Sequence, residues 1–460
     1  MTLNYGAPRF GEVCSVNFRG LIRWKSEQSR FDHRNGWYNP NATPGIVASS
    51  CRWPEDEFLT MKQVTTPYLA ALRAQSRAAR ERRRFTKRHA WVVSALFLFG
   101  LQSRGSIYTG GGELSLSVAL AHEYDSNIYG NNREIADWHT IATPEVVFLR
   151  EQGVLSLDTR AGIKGHRFED NSAEDSWDPF YQARLNWKRD EDKTEGFLDA
   201  SLRRTNEANP DVNTRTESDE TRIDANFGHF PTAKLGYRLA ASYHNSDFAS
   251  RTFSDLRSHS VELAGRYQLS PSYDAFLAAG QRRSSTRDVP EGMIAADSTD
   301  YKAKLGVAGE ILPKLSGHAA VGWVRRRAET IAWRQSTMLI DTALTWHPDD
   351  DTSVTLTVAR DFDTTPLDQS VLEFESGVEA RRQLHGKWGV ALGATHVRAR
   401  YIGGPGDRRD NHLRGRFAVD HQFTQRFRGE ARVSYHISES TLRIADYNRF
   451  IVGAALVAVF

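Results

Sequence analysis

From Gly111 to the C-terminus, apolar and polar side chains alternate in runs of about ten residues, and turn residues separate the runs. In one such run Tyr301, Ala303 and Leu305 share a face. Lys302 and Lys304 occupy the other face. Successive side chains of a strand point to opposite sides, so each run has one apolar and one polar face. The pattern predicts an all-β fold whose strands separate an apolar from a polar environment.

Connection lengths distinguish a membrane barrel from a soluble β-sandwich, because both architectures show this alternation. Every second connection is short, as in residues 150–153, 231–233 and 311–313. The connections between them are longer and polar, and 206–220 and 287–297 are examples. Short turns at one rim and long loops at the other are typical of outer-membrane barrels, whose short turns are periplasmic.

We therefore predict a transmembrane antiparallel up-and-down β-barrel of about eighteen strands, within a range of roughly sixteen to twenty. Its even strand number would place both ends of the barrel at the periplasmic rim. A phase change near His396 predicts a β-bulge. The predicted strands are 114–124, 137–149, 154–168, 178–189, 194–204, 221–230, 234–247, 255–269, 273–286, 298–310, 314–326, 336–347, 352–361, 370–384, 388–401, 410–423, 427–438 and 446–460.

Aromatic residues cluster beside the short turns, where rings fit the lipid–water interface. The chain also ends in an aromatic residue, Phe460, in phase with Leu456 and Phe450. This end resembles the C-terminal strand that the barrel assembly machinery recognises, so we expect that machinery as a partner. The predicted girdle residues are Trp187, Tyr267, Tyr273, Trp346, Trp388, Phe423 and Phe427.

A secretory signal peptide is predicted over residues 80–104. Residues 80–90 are strongly basic and lead into an apolar run over 91–101, too short for a membrane-spanning helix. Cleavage between 103 and 106 fits the small residues there. The mature barrel then occupies 105–460, which contains no cysteine, as suits an exported chain.

Residues 1–79 show no hydrophobic period and lie upstream of the predicted signal. We interpret them as unstructured or as a start assigned too far upstream, for which Met61 is an alternative. A genuine N-terminal extension and an unusually long signal remain the competing interpretations.

Charged residues on the inward faces predict the character of the pore. By phase, bases outnumber acids there, and a basic wall favours anions over cations. Glu373, Glu375 and Glu379 on one strand oppose this trend, and cross-strand ion pairs are the alternative role for each charge. The predicted pore-lining bases are Arg160, Lys164, Arg184, Lys188, Arg203, Arg222, Arg238, Arg266, Lys302, Lys304, Arg414, Arg416, Arg428 and Arg432.

Other function classes find little support in the sequence. The near balance of 60 basic and 57 acidic residues argues against nucleic-acid binding. Nucleophile elbows, metalloprotease motifs and phosphate-binding glycine loops are absent from the sequence. Histidines such as His229, His244 and His436 are scattered at strand ends and suggest wall residues. We therefore expect no catalytic residues, no metal and no cofactor.

The exit of the first strand reads Tyr124, Asp125, Ser126, Asn127, Ile128 and Tyr129, which resembles the opening strand of the β-barrel porin-2 family of outer-membrane proteins. Members of this family often accompany exopolysaccharide synthesis and export. The resemblance implies a channel for anionic or saccharide solutes, with outer-membrane lipid, lipopolysaccharide and polysaccharide as partners. A non-conducting component of a polysaccharide secretion system and a barrel enzyme are the alternatives. An inward-folded loop, 206–220 or 287–297, is the candidate plug.

Overall fold

The structure, a computed structural model, describes residues 107–189, 193–329, 333–384, 386–403 and 408–460. The predicted signal peptide and the upstream region lie outside these residues. Within the described part of the chain, no helix is long and apolar enough to cross a membrane.

Eighteen strands, β2 to β19, form one antiparallel sheet in which sequence neighbours pair and β19 returns to β2. This closure confirms the predicted barrel and its strand number. The short β1 (Ile107–Thr109) was not predicted and pairs with the start of β2. The strands are β2 Gly112–Asp125, β3 Asp137–Gln152, β4 Leu155–Phe168, β5 Ser176–Arg189, β6 Thr194–Asn209, β7 Thr214–His229, β8 Leu235–Phe248, β9 Asp255–Gln268, β10 Tyr273–Arg287, β11 Ser298–Leu312, β12 Leu315–Ala328, β13 Arg334–Trp346, β14 Thr352–Thr364, β15 Ser370–Gln383, β16 Trp388–Ile402, β17 Arg409–Gln422, β18 Phe427–Ser440 and β19 Tyr447–Val459.

The last residue completes the closure of the barrel. The backbone N–H of Phe460 donates to the carbonyl of Leu116 at 2.8 Å, and the Leu116 N–H donates to the Phe460 carbonyl at 3.0 Å. The described strands therefore form a ring in which each strand pairs with two neighbours, and such closure is the condition for a sheet to exist in lipid.

One face of each strand carries large apolar side chains that stay exposed, such as Leu277, Leu305 and Trp323 at 60–65%. These side chains have the same phase as their cross-strand partners, so they form a continuous apolar belt around the outside. The opposite face carries charged and hydrogen-bonding side chains and encloses the interior. Trp346, Trp388, Tyr267 and Phe423 stand half-exposed beside the short turns, as the predicted girdle requires.

Two local predictions were wrong. The pairing of β16 with both neighbours runs through His396 without a shift, so there is no bulge at this position. The phase looks broken because the outward His396 is polar and bonds to Asn411 at 2.6 Å. A register shift occurs instead between Glu310 and Leu312, at a short turn. The second wrong prediction is the long 206–220 loop, which is mostly strand.

Candidate functional site

The basic residues predicted to line the pore lie on the interior face of their strands, and most of them pair with acids on the same face. Lys188 lies near the short turn after β5, and Arg414 and Arg416 have no carboxylate partner among the described residues. Whether these bases govern solute passage stays a prediction. The pairs are Arg160–Asp158 (3.3 Å), Lys164–Glu207 (3.1 Å), Arg184–Asp199 (3.8 Å), Arg203–Glu220 (2.6 Å), Arg222–Asp224 (2.7 Å), Arg238–Glu262 (3.9 Å), Arg266–Asp274 (2.6 Å), Lys304–Asp341 (2.8 Å), Arg428–Glu430 (3.6 Å), Lys302–Asp361 and Arg432–Glu123.

The expected excess of bases over acids on this face is wrong for the described strands. The strand register puts many further acids in the interior phase, and Glu373, Glu375 and Glu379 share it as predicted. Most of the predicted bases are therefore paired with a neighbouring acid, and the wall is largely a mosaic of ion pairs. The additional interior acids include Glu123, Asp125, Glu145, Asp178, Glu195, Asp274, Asp300, Asp341, Asp361 and Asp410.

The β6–β7 hairpin is the first element that enters the interior. β5 pairs with β6 only as far as Arg203, and β8 pairs with β7 only from Ser218 onward. Residues 204–217 therefore extend beyond both neighbouring strands. The segment pairs with itself through Asn209 and Thr214, which explains why a polar stretch predicted as loop is strand.

The tip of this hairpin bonds to the opposite wall. Arg408 donates to the carbonyls of Pro210 (2.9 Å) and Asp211 (2.7 Å). The hydroxyl of Tyr401 donates to Asp211 Oδ1 at 2.9 Å. β7 and β16 are nine positions apart in a ring of eighteen strands, so a contact between them crosses the interior. The hairpin therefore spans the lumen, as was predicted for an inward-folded 206–220 segment.

The same end of the hairpin also contacts the connections that follow β2 and β4. Arg215 is paired with Glu174 at 3.4 Å and donates to the carbonyl of Ile128 at 3.4 Å. The side-chain amide of Asn131 donates to the carbonyl of Asn213 at 3.2 Å. The second predicted plug, residues 287–297, bonds within its own hairpin and to nearby wall strands: Asp297 accepts from the Thr286 N–H at 3.1 Å, and Arg287 pairs with Asp247 of β8 at 3.3 Å.

The β14–β15 hairpin is the second element that folds inward. Pairing between β13 and β14 ends at Arg360, although β14 continues to Thr364. Above this point Phe362 turns onto the interior face of β12 and β13, where it packs in a cluster with Val324 and Leu339. Its side chain is 1% exposed. Burial of this ring stabilises the bent position of the hairpin.

A buried charged clamp holds the β14–β15 hairpin in place. Arg326 donates to Asp300 through Nε and Nη2, at 2.7 and 2.8 Å, and through Nη1 to the Asp363 carbonyl at 2.5 Å. Arg282 binds the same Asp300 at 2.7 Å and Asp361 at 3.1 Å. Arg326 is fully buried. Sequence reasoning missed this clamp, because Arg326 stands between two other arginines and only its strand phase distinguishes it.

Polar cavities remain beneath and beside the hairpins. One of about 600 Å³ lies between β4 and β8 and is lined by Lys164, Gln182 and Arg222 among others. Another of about 330 Å³ separates the β6–β7 hairpin from the wall and is lined by His139, His166 and Arg414 among others. Both ring nitrogens of His166 lack a hydrogen-bond partner among the described residues. These cavities offer donors and acceptors rather than apolar surface.

The interior histidines make contacts with neighbouring side chains of the wall. No cluster of three or more histidine, cysteine or carboxylate side chains suited to a metal ion occurs among the residues that the structure describes. His244 bonds to Ser246 at 3.1 Å, and His436 packs edge-on against Tyr447 with ring centroids 5.4 Å apart. These contacts are those of wall residues.

The hairpin tip carries a titratable group. Burial raises the pKa of Asp211 from 3.8 to about 6, the nearby Asp363 adds to the rise, and the hydrogen bond from Tyr401 opposes it. A docked tip therefore binds a proton more tightly than a free one. The shift predicts docking that is strongest below pH 4, weakens as the pH rises from about 4 to 6, and stays weaker above pH 6.

We therefore expect lower single-channel conductance at pH 4 than at pH 7, because acid favours the docked hairpin. Asp211→Asn should keep the low-conductance state at both values, since its amide carries no charge at either. Conductance measured at both pH values in planar bilayers checks this. Equal pH dependence in the wild type and in Asp211→Asn would assign the effect to another group.

Solved structures resemble the chain only distantly. The outer membrane protein OpdK of Pseudomonas aeruginosa, in a structure with vanillate, has 8% identity and a TM-score of 0.42, over 75% of this chain and 99% of OpdK. OccK3 (OpdO) of the same organism has 11% identity and a TM-score of 0.41, over 75% and 95%. The siderophore receptor PirA of P. aeruginosa has 8% identity and a TM-score of 0.40, over 75% and 80%. Comparison with curated proteins gives no match.

A family model, by contrast, matches the whole barrel. Its description is Putative beta-barrel porin 2, and the match covers residues 107–460. This range begins at β1 and ends at the closing Phe460, so every described strand lies within it. The match confirms the resemblance seen at Tyr124–Tyr129, and the chain belongs to the beta-barrel porin 2 family.

Proposed function

We propose that this protein is a channel in the outer membrane of a Gram-negative bacterium and passes saccharide or anionic solutes. The observation that carries the proposal is a closed ring of strands whose outer face is mainly apolar and whose inner face is mainly polar and charged. Barrels of sixteen to eighteen strands are wide enough to hold an aqueous channel. Membership in a porin family supports the same conclusion.

The solute class follows from the chemistry of the cavities. Paired charges and side-chain amides offer donors and acceptors to hydroxyl groups without a strong net preference for either sign. Arg414 is the exception, because it is exposed to the 330 Å³ cavity and has no carboxylate partner among the described residues. A sugar that carries a carboxylate would satisfy both features, with its acid at Arg414 and its hydroxyls at the polar wall.

A second candidate function is a non-conducting component of a polysaccharide secretion system. The two inward hairpins favour it, since Arg408 and Arg326 tie both to the interior wall. The family resemblance is consistent with a place beside exopolysaccharide export. We also propose that the chain assembles into the membrane through Phe460, contacts lipopolysaccharide and has no catalytic activity.

Single-channel recording separates the two candidates. The refolded full chain would be inserted into a planar bilayer, and folding would be verified independently by heat-dependent gel mobility. Stable current steps that shrink in the presence of glucuronate support the channel. Folded, inserted protein that gives no steps in either the wild type or a variant with a shortened β6–β7 hairpin contradicts it and supports the structural role.

Arg414→Ala should weaken block by glucuronate about ten-fold, because a charge-assisted hydrogen bond contributes about 1.5–3 kcal/mol and this side chain is partly solvated. Arg416→Ala is the matched control. Arg416 lies two residues along the same face of β17, is also exposed and does not line that cavity. The concentration of glucuronate that halves the current is the measurement. Equal losses in both variants would show a general effect of wall charge.

A further inference from the structure

Four arginines form a patch on the outside of the barrel, at the ends of β10, β12 and β13 away from the short turns. In the strand register Arg283 lies opposite Thr299, Thr299 opposite Arg327, and Arg327 opposite Arg334. Arg325 lies one step below on the same face of β12. With strands about 4.8 Å apart and residues about 3.4 Å apart, the patch measures about 14 Å by 7 Å. We call Arg283, Arg325, Arg327 and Arg334 the arginine patch.

The arginine patch stands directly above the apolar belt. Trp323 precedes Arg325 by two residues, has the same outward phase and is 63% exposed. Tyr301, opposite Arg325, is 51% exposed. Val321 and Leu305 continue the apolar surface below them. The order along the outer surface is therefore aliphatic, aromatic and then cationic, which is the order of environments from hydrocarbon through interface to headgroup.

The arginine patch is under-neutralised. Glu329 pairs with Arg283 at 3.6 Å. Arg325, Arg327 and Arg334 have no carboxylate partner among the described residues, and residues 330–332 are Thr, Ile and Ala. All four guanidinium groups belong to exposed residues. Like charges held side by side without partners destabilise a sheet, so an external anion is needed to offset them.

We propose that the arginine patch binds the phosphate groups of a phosphorylated glycolipid in the outer leaflet, which is lipopolysaccharide. Guanidinium groups bind phosphate oxygens through two parallel hydrogen bonds, which favours arginine over lysine at such a site. The exposed Trp323 and Val321 below are placed to contact the acyl chains of the same molecule. A free phosphate would use only the upper half of this surface, which is why the lipid is the better fit.

Native mass spectrometry of the delipidated full chain, titrated with lipid A, tests the site. The variant R325Q/R327Q/R334Q should bind lipid A at least ten-fold more weakly than the wild type, since each basic residue near a charged membrane surface adds about one factor of five. The matched control R150Q/K234Q/R382Q removes the same charge from exposed positions near the short turns and should bind as the wild type does. Dephosphorylated lipid A should bind both variants equally weakly.

Equal binding of lipid A by the triple variant and the wild type would overturn the proposal. So would equal binding of lipid A and its dephosphorylated form by the wild type, which would assign retention to the acyl chains alone. The inference rests on the proposed membrane location. Mass spectrometry measures binding independently of current. A protein that conducts no current but binds lipid A would contradict the proposed channel and still support the lipid site. A protein that conducts current but does not bind lipid A would contradict only the lipid site.

Discussion

Shortening the β6–β7 hairpin is expected to raise single-channel conductance several-fold. The variant joins Thr205 to Ser218 through Asn-Gly and removes residues 206–217. These two residues face each other in the strand register, and Asn-Gly forms the type I′ turn that two paired strands need. The change removes Asp211 and its contacts with Arg408 and Tyr401, so the segment that crosses the lumen is lost. The wall itself is kept, because β5 and β8 pair only below this point.

A matched deletion in the β10–β11 loop serves as the control. Residues 289–295 connect two wall strands, and their hairpin bonds to itself at Thr286 and Ala296. Replacing them with a short glycine-rich turn should leave conductance unchanged. If both deletions raise conductance by the same factor, the increase results from shorter loops at this rim and not from loss of the β6–β7 hairpin in particular. If neither does, the constriction lies elsewhere, and the β14–β15 hairpin becomes the next element to remove.

The sequence predicted the wall well because the wall obeys one rule. Alternation between lipid and interior fixes the strands within a few residues, as with 273–286 against the observed Tyr273–Arg287. It also places the bases predicted to line the pore on the interior face of their strands. The rule fails where the chain leaves the membrane. Residues 206–220 are polar on both faces, so their sequence predicts a loop, although most of them pair as strands.

The sequence suggested that a loop folds into the lumen, but the contacts that hold it there could not be predicted, because they join residues far apart in the chain. Nothing in the sequence near Asp211 indicates Arg408 as its partner. The predicted excess of interior bases was wrong for a similar reason, because a correct count of interior charges requires the exact register of every strand. Strand phase alone would have distinguished the buried Arg326 from its neighbours. In the run Arg325, Arg326 and Arg327, the central residue alone has the interior phase, and it is the buried one.

Arg326→Ala is expected to destabilise the barrel by about 3–5 kcal/mol, because it leaves a buried carboxylate short of its partner. Arg326 is fully buried and Asp300 is 0% exposed, so little water is available to replace the lost bonds. The substitution also removes the donor to the Asp363 carbonyl and the guanidinium over the Phe362 ring, 5.1 Å from its centroid. The β14–β15 hairpin should therefore become accessible to added protease. Urea unfolding in lipid vesicles measures the stability change.

A substitution of the adjacent Arg325 tests whether the buried ion pair itself, rather than positive charge at any position nearby, stabilises the barrel. Arg325→Ala changes the same residue type one position away, on the exposed outer face, and should alter stability by about 0.5 kcal/mol or less. In a double-mutant cycle, Arg326→Met combined with Asp300→Asn should cost less than the sum of the two single changes, by about 0.5–3 kcal/mol. A smaller coupling would mean that Arg282 alone satisfies Asp300. A large coupling together with a released hairpin would show that one buried ion pair both supports the wall and holds the lumen closed.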